Sequence, residues 1–174
     1  LNVTDGGTVS NTYSYIGIKS GSTGEATVTG AGSQWNNSNS LYVGGKGSQA
    51  GGTGILNIAD SGLVAVGKTM KLWSTGTVNL DGGRLATNSF DNSAAGTLNF
   101  HDGTLKVKGA SGIFNPGTTH FTIDGLAADD LPALVITNTA SATLSEKLTV
   151  GFSNRGQLIV KGGSVVSNMK GYIG

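Results

Sequence analysis

The chain has 174 residues, with 30 glycines, no cysteine and a formal net charge of +1 from 11 lysines and arginines against 10 aspartates and glutamates. This composition excludes disulfides and thiolate metal sites, and it lacks both the G-X-Y period of collagen and the basic stripe that nucleic-acid binding needs. No apolar stretch approaches the roughly 20 residues of a membrane span. Charged residues make up only 12%, a balance that favours an all-β array with many tight turns.

A phrase at the start of the chain, Leu-Asn-Val-Thr-Asp-Gly-Gly-Thr-Val over residues 1–9, returns in altered form. The altered copies begin at Leu56, Val78, Leu98 and Leu158. Within them the apolar residues stand two apart, which is typical of a half-buried strand, so Asn57, Asn79 and Asn99 are expected to face outward. The Asp-Gly pair that follows supplies positive φ, which predicts a turn.

The copies recur at intervals that fit one coil of a parallel β-solenoid, with three short strands and three turns each. A hairpin meander also gives short strands with glycine turns, but it has no reason to repeat the same three-strand order. Because parallel crossovers are overwhelmingly right-handed, the sequence predicts an all-β, right-handed parallel β-helix of about eight coils of roughly 20–30 residues. Residues 1–174 are expected to form a single continuous stack about 40 Å long.

Two segments break this rhythm. The glycine-rich stretch 44–52 is predicted to protrude as a loop. Residues 126–133 are predicted to form an irregular loop or one short helical turn, followed by strands near 134–136 and 143–144. No linker separates domains, so both segments are expected to lie within one continuous stack.

Both ends of the chain fall inside a repeat. Residues 166–174 repeat the pattern of residues 9–17, and neither end resembles the polar cap that solenoids need against edge pairing. The sequence therefore predicts a segment of a longer repetitive protein, or one unit of an end-to-end fibre.

Several motifs resemble the repeats of secreted bacterial proteins. They are Tyr15-Ile16-Gly17, Gly32-Ser33-Gln34-Trp35, Leu41-Tyr42-Val43-Gly44 and Leu56-Asn57-Ile58. These motifs are similar to the glycine-rich repeats of passenger-type autotransporter proteins and of proteins with PEP-CTERM sorting signals. Residues 76–83 and 96–100 resemble repeats of large planctomycete surface proteins. The resemblance implies an exported, extracellular β-helical shaft at the cell surface, and it brings no catalytic motif with it.

Acidic turn residues are the candidates for a metal site. Asp60, Asp81 and Asp102 could stack along one edge of the solenoid, and carboxylates with backbone carbonyls are the ligands that Ca²⁺ prefers. The spacing does not match the calcium-binding G-G-x-G-x-D-x-U-x repeat. The alternative is that these aspartates only form Asp-Gly turns, so the sequence predicts no cofactor, with calcium as the less favoured possibility.

Three groups of residues are candidates for acid–base chemistry. They are His101, His120 with Asp124, and the adjacent pair Asp129 and Asp130. A general base has to lie in a cleft beside its substrate, whereas the coil alignment places His101 beside a turn. Acids on a solenoid face serve polysaccharide-degrading β-helices, but such enzymes also need a basic partner and a groove. The sequence therefore predicts no catalytic residue and no enzymatic activity.

An aromatic set on the third strand of the coils is the most informative surface feature. Tyr15, Tyr42 and Tyr172 are predicted to occupy equivalent outward positions, with Lys71 aligned to them. Outward aromatic rings can bind sugar rings or a neighbouring rod, which makes these four residues a candidate ligand or assembly face. Cross-strand packing within the sheet predicts the same pattern. The two tryptophans, Trp35 and Trp73, are expected either to cover a solenoid corner or to contact a ligand.

The sequence thus predicts an extracellular structural or adhesive fibre subunit that associates end to end or with other surface fibres. The alternative is a carbohydrate-binding or polysaccharide-degrading β-helix, acting near Asp129 and Asp130 or binding along the tyrosines. Ice binding by outward threonines is not favoured, because Thr27-Val28-Thr29 is not repeated in register.

Overall fold

A computed structural model describes residues Leu1–Gly174, which form 22 strands and no helix. Every pairing between strands is parallel, except in one small hairpin. The protein is therefore a parallel β-solenoid, as the sequence predicts, with about seven turns and the first strand of a further one. At about 4.8 Å per strand, this stack is about 34 Å long.

The first face of the solenoid contains the strands that begin each turn. They are β1 (Asn2–Val3), β4 (Thr23–Thr29), β9 (Thr53–Ala59), β11 (Gly76–Asp81), β13 (Thr97–Phe100), β16 (His120–Ile123), β19 (Lys147–Val150) and β22 (Lys170–Ile173). The first five pair consecutively, and so do the last three, but β13 and β16 do not pair with each other. The first face is therefore split between the fifth and sixth turns.

The second and third faces form one continuous 12-stranded sheet. The second face holds β2 (Thr8–Asn11), β5 (Gln34–Asn37), β10 (Leu63–Leu72), β12 (Arg84–Asp91), β14 (Thr104–Val107), β17 (Ala133–Ile136) and β20 (Gln157–Val160). The third face holds β3 (Ser14–Ile16), β6 (Leu41–Val43), β15 (Ile113–Asn115), β18 (Ser141–Thr143) and β21 (Val165–Ser167). Strand β10 pairs with β5 through its first half and with β6 through its second half, so it crosses from one face to the other.

Both irregular segments lie where the sequence predicts them. The glycine-rich stretch forms the antiparallel hairpin of β7 (Gly45–Lys46) and β8 (Gln49–Ala50), whose tip is exposed. The second segment is an exposed loop that contains a turn, and it ends one residue earlier than predicted because Ala133 already belongs to β17.

Inward side chains stack in registered rows that form one core of 28 buried residues. One row consists of Val3, Val28, Ile58, Leu80 and Phe100. Burial of each such side chain contributes about 1.5–3 kcal/mol, and the rows repeat this gain in every turn. The hydrophobic stack therefore runs through the whole solenoid.

Trp35 belongs to this core, so the prediction of a corner or ligand position is wrong for this residue. Its side chain is only 4% exposed, and its Nε1 donates a hydrogen bond to Asn11 Oδ1 over 2.7 Å. The physical reason is its register in β5, where it lies between the inward residues Val9 and Val64. Trp73, directly after β10, is half-buried instead.

Outward asparagines form a hydrogen-bonded ladder on the first face, which confirms their predicted direction. Asn79 Nδ2 donates to Asn57 Oδ1 and Asn99 Nδ2 donates to Asn79 Oδ1, each over 2.7 Å. At the N-terminal end of the ladder, Asn57 Nδ2 donates to Glu25 Oε1 over 2.9 Å. The amides of Asn57 and Asn79 therefore each join the turn before to the turn after, and Asn99 ends the ladder.

The turns that follow the first face use left-handed backbone conformations, as the Asp-Gly pairs predict. Asp5 and Gly6 have φ of 53° and 77°, and Asp60 has φ of 47°. At Gly103 φ is +85°, and a Cβ there would lie 2.2 Å from the carbonyl oxygen of Gly83 in the turn below. Glycine is required at this position by both the backbone conformation and the close approach.

Candidate functional site

The structure brings together three of the four residues of the predicted ligand or assembly face. Tyr15, Tyr42 and Lys71 are registered with one another across β3, β6 and β10 of the third face. The same outward row continues through Asp91 in β12 to Asn115 in β15. We call these five residues the third-face row.

The two tyrosines of the third-face row stack on each other. Their ring centroids are 5.2 Å apart and their planes differ by 8°. This separation is close to the strand spacing of about 4.8 Å. The two rings are therefore stacked along the row, and their edges and hydroxyl groups face the solvent. One face of each ring is thus used between neighbouring turns, which favours cross-strand packing as the role of this pair.

Lys71 is held in place by its neighbours in the third-face row. Its Nζ lies 2.7 Å from Asp91 Oδ2, 2.8 Å from Ser93 Oγ and 4.8 Å from the centre of the Trp73 ring. Partial burial raises the pKa of Asp91, but hydrogen bonds from Lys71 and Ser93 outweigh it and hold that pKa below the ordinary aspartate value. The ammonium group is therefore already neutralised within the protein.

Tyr172 does not belong to the third-face row, so its predicted equivalence to Tyr15 and Tyr42 is wrong. It lies in β22 on the first face, in register with Thr149 of β19. The physical reason is a shift by one strand: residues 165–167 already occupy the third face, so the next strand begins a new turn.

The three aspartates of the possible calcium site do not gather at one point. Asp81 is registered with Ala59, one position before Asp60. Asp60 Oδ2 accepts a hydrogen bond from Thr29 Oγ1 over 2.8 Å, and Asp102 Oδ1 accepts one from the backbone N–H of Leu131 over 3.0 Å. The structure contains no group of three acidic or histidine side chains that could hold a metal ion.

The candidate acid–base residues are also separate. His120 Nε2 lies 2.9 Å from Glu146 Oε2, so its acidic neighbour is not Asp124. Asp130 accepts hydrogen bonds from the backbone N–H groups of Leu126 and Ala127, over 2.9 and 2.7 Å, and so closes its own loop. These contacts give the loop carboxylate a structural role and leave no basic partner beside it.

Asp124 has a structural role that the sequence did not reveal. Its carboxylate accepts hydrogen bonds from three successive backbone N–H groups, Phe152, Ser153 and Asn154, over 2.9–3.1 Å. Slight burial raises the pKa of Asp124, but these three hydrogen bonds outweigh it and lower that pKa below its ordinary value. The residue joins the sixth turn to the seventh.

A cavity of about 320 Å³ lies against the outer side of the three C-terminal strands of the first face. It is lined by His120, Glu146, Lys147, Met169, Lys170 and Tyr172. We call it the first-face cavity. A signal for it was present in the sequence, because residues 148–151 align with residues 171–174, and a lysine precedes both segments. Sequence reasoning missed the cavity because it placed Tyr172 on the third face instead of the first.

No family model, curated protein or solved structure matches the chain. None of the structural elements is a helix with the length and hydrophobicity needed to cross a membrane.

Proposed function

We propose that the chain is a structural or adhesive shaft of an extracellular bacterial surface protein, without enzymatic activity. The observation that supports this most is the continuous pairing of the second and third faces, around one core of 28 residues. Each turn contacts only its neighbours and adds about 4.8 Å, which gives length and stiffness. The glycine-rich repeats resemble those of secreted bacterial proteins with this role.

Association end to end, or with other surface fibres, is part of the proposal. Strands at each end of the stack pair on one side only. At the C-terminal end, Val165 and Ile173 are 60% and 90% exposed and line a cavity of about 590 Å³. Uncovered strand edges with apolar surface favour pairing with another solenoid.

The experiment replaces apolar residues at this end and follows assembly. The full chain is expected to form linear assemblies with rising concentration, visible by negative-stain electron microscopy and analytical ultracentrifugation. Val165→Lys and Ile173→Lys are expected to suppress assembly, because each places a charge in the contact. Leu126→Lys is the matched control, since Leu126 is 73% exposed in a loop away from this end. Compact monomers at every concentration would count against the proposal.

A polysaccharide-degrading activity near Asp129 and Asp130 has less support. The Asp130 carboxylate is occupied by backbone N–H groups of its own loop. Asp129 is exposed on the same loop. No calcium or other cofactor enters the proposal.

A further inference from the structure

The first-face cavity lies over a row of basic side chains that the register of the strands imposes. His120, Lys147 and Lys170 are directly paired with one another across β16, β19 and β22. Backbone hydrogen bonds fix this register: the Glu146 carbonyl accepts the N–H groups of Met169 and Lys170 over 3.0 and 2.9 Å. The three side chains therefore occupy positions one strand spacing apart.

Two lysines directly opposite each other on paired strands are destabilising, and no acid compensates for them here. Glu146, the one acid in the cavity, lies 2.9 Å from His120. Lys147 Nζ lies 4.7 Å from the centre of the Tyr172 ring and 5.8 Å from that of Phe152. Neither Lys147 nor Lys170 forms a salt bridge, and the only other salt bridge of the protein lies on the third face.

The lining of the cavity is itself unbalanced, with Lys147 and Lys170 against the single acid Glu146. Thr149, registered with Tyr172, is 3% exposed and its hydroxyl has no hydrogen-bond partner. Uncompensated like charges on a rigid sheet are a local conflict with the fold, and such conflicts concentrate at functional sites.

We propose that the first-face cavity binds an acidic sugar unit, carboxylated or sulfated, of an extracellular polysaccharide. Lys147 and Lys170 donate to the anionic group as ammonium point charges. Met169 and the face of the Tyr172 ring that Lys147 does not cover supply apolar surface for the sugar ring, with Tyr172 51% exposed. The volume of about 320 Å³ is at the small end of ligand pockets, which suits one unit of a polymer.

This proposal does not depend on the shaft proposal. The two sites share Tyr172, but the residues that carry each proposal differ: Lys147 and Lys170 line the first-face cavity, whereas Val165 and Ile173 line the cavity at the C-terminal end. A solenoid that stays monomeric can still bind an acidic sugar, and a fibre can form without doing so.

Isothermal titration calorimetry of the full chain tests the site with four probes at low ionic strength. They are hexagalacturonate, its methyl ester, sulfated maltohexaose and unmodified maltohexaose. One of the two anionic probes is expected to bind, with an affinity that falls as salt is added, and the arm that binds distinguishes carboxylate from sulfate. The proposal is overturned if neither anionic probe binds, or if a neutral probe binds equally well.

Variants assign the binding to the cavity. Lys147→Gln and Lys170→Gln are each expected to weaken it about tenfold, because each removes one charge-assisted hydrogen bond. Lys161→Gln, an exposed lysine outside the cavity, is the matched control and is expected to leave the affinity unchanged. An equal loss in this control would indicate non-specific attraction and overturn the site.

A further variant, Glu146→Gln, is expected to give a result that a folding defect cannot produce. It removes the one carboxylate of the cavity, so the anionic probe is expected to bind about threefold more tightly. Unfolding cannot produce such a gain. A weaker affinity in Glu146→Gln would overturn the assignment of the cavity.

Discussion

Asp124 joins two turns of the solenoid through a single carboxylate. The three N–H groups that it binds belong to the loop between β19 and β20, 28–30 residues further along the chain. A short loop of this kind exposes backbone donors, and an acidic side chain from the neighbouring turn satisfies them as a helix cap does. The carboxylate thus connects two loops that are far apart in the sequence.

Asp124→Ala is expected to lower the free energy of unfolding by about 1 kcal/mol at neutral pH, the typical value for a lost cap, since solvent screens the partly exposed charge. Because the pKa is lower in the folded state, this stability is present above the unfolded pKa of about 4 and is lost as pH falls through the folded pKa. Urea unfolding at pH 7 and pH 3 measures both effects. Asp129→Ala, in an exposed loop, is the control; an equal loss there would contradict this role.

Gly103 shows the cost of a side chain where two turns approach closely. Gly103→Ala is expected to lower the free energy of unfolding by about 3 kcal/mol, because positive φ and the contact with Gly83 add together. Gly6→Ala separates the cost of positive φ from the cost of the close approach, because φ at Gly6 is +77° but a Cβ there meets nothing within 4 Å. This variant is expected to lower the free energy of unfolding by about 1 kcal/mol. Thermal and chemical unfolding of both variants measure the difference. Equal losses would show that the close approach contributes nothing.

For single residues, the sequence predicted backbone conformations better than it predicted hydrogen-bond partners. The Asp-Gly pairs predicted positive φ at Gly6 and Gly103, because that preference is local. The partners of Asp124 could not be predicted, since they depend on which loop lies beside the side chain after folding. Trp35 was misplaced for the same reason: a polar ring nitrogen can be buried when an acceptor such as Asn11 lies in the next turn.

The asparagine ladder is a cross-strand element that repeats one hydrogen bond from turn to turn. Asn79 occupies its middle, donating to Asn57 and accepting from Asn99. Since an amide both donates and accepts, it can continue a ladder in both directions. A carboxylate at this position can only accept, so it interrupts the ladder.

Asn79→Asp is expected to lower the free energy of unfolding by about 1 kcal/mol at neutral pH, because a carboxylate still accepts from Asn99 but cannot donate to Asn57. Asn79→Ala removes both hydrogen bonds and is expected to cost about 2 kcal/mol. Urea unfolding ranks the two variants. Asn99→Ala, at the end of the ladder, is the control and should cost no more than Asn79→Asp; a larger loss would argue against the ladder as the stabilising element.

The sequence predicts the outward rows correctly where the repeat length is regular. Where the repeat length changes, the predicted face of a residue is wrong. Tyr15, Tyr42 and Lys71 align because their turns repeat the same pattern of strand and corner. Tyr172 follows a turn with a different loop arrangement, and the similarity of residues 166–174 to residues 9–17 concealed a shift of one strand. The first-face cavity was missed through that same error.

The turns of the whole molecule differ in how many neighbours cover them. Strands β9 to β12 lie in the middle of the stack and have fully buried inward residues such as Ile58 and Leu80. In the last turn the inward Val160 is 42% exposed, whereas its registered partner Ile136 in the turn before is fully buried. Because repeat arrays are stabilised by contacts between neighbours, local stability is expected to fall toward this turn.

Hydrogen exchange measures this gradient. Backbone amides of β20 to β22 are expected to exchange at least tenfold faster than those of β9 to β12, because fewer packed neighbours resist their opening. Ile58→Ala in the middle of the stack should accelerate exchange in β9 to β12, whereas Val160→Ala, which changes an inward residue of the last turn, should affect only the last turns. Uniform protection along the chain would show that the solenoid unfolds as one cooperative unit instead.

The fold could be predicted from the sequence because each turn repeats the same pattern of inward apolar residues and glycine turns. Alternating apolar residues predicted inward rows, and the parallel stack follows from their recurrence. The number of turns is slightly lower than predicted, because the turns that begin at β4 and β16 are lengthened by the β7–β8 hairpin and by the loop before β17. The right-handed winding stays a prediction based on the general preference of parallel crossovers.

The split between β13 and β16 has a mechanical consequence. Along most of the rod a bending or stretching force is shared among three sets of interstrand hydrogen bonds, but between the fifth and sixth turns only two faces carry it. The rod is therefore most compliant at that level, and bending there opens the first face first. Under tension the two parts of the shaft would separate at this joint before the turns on either side came apart.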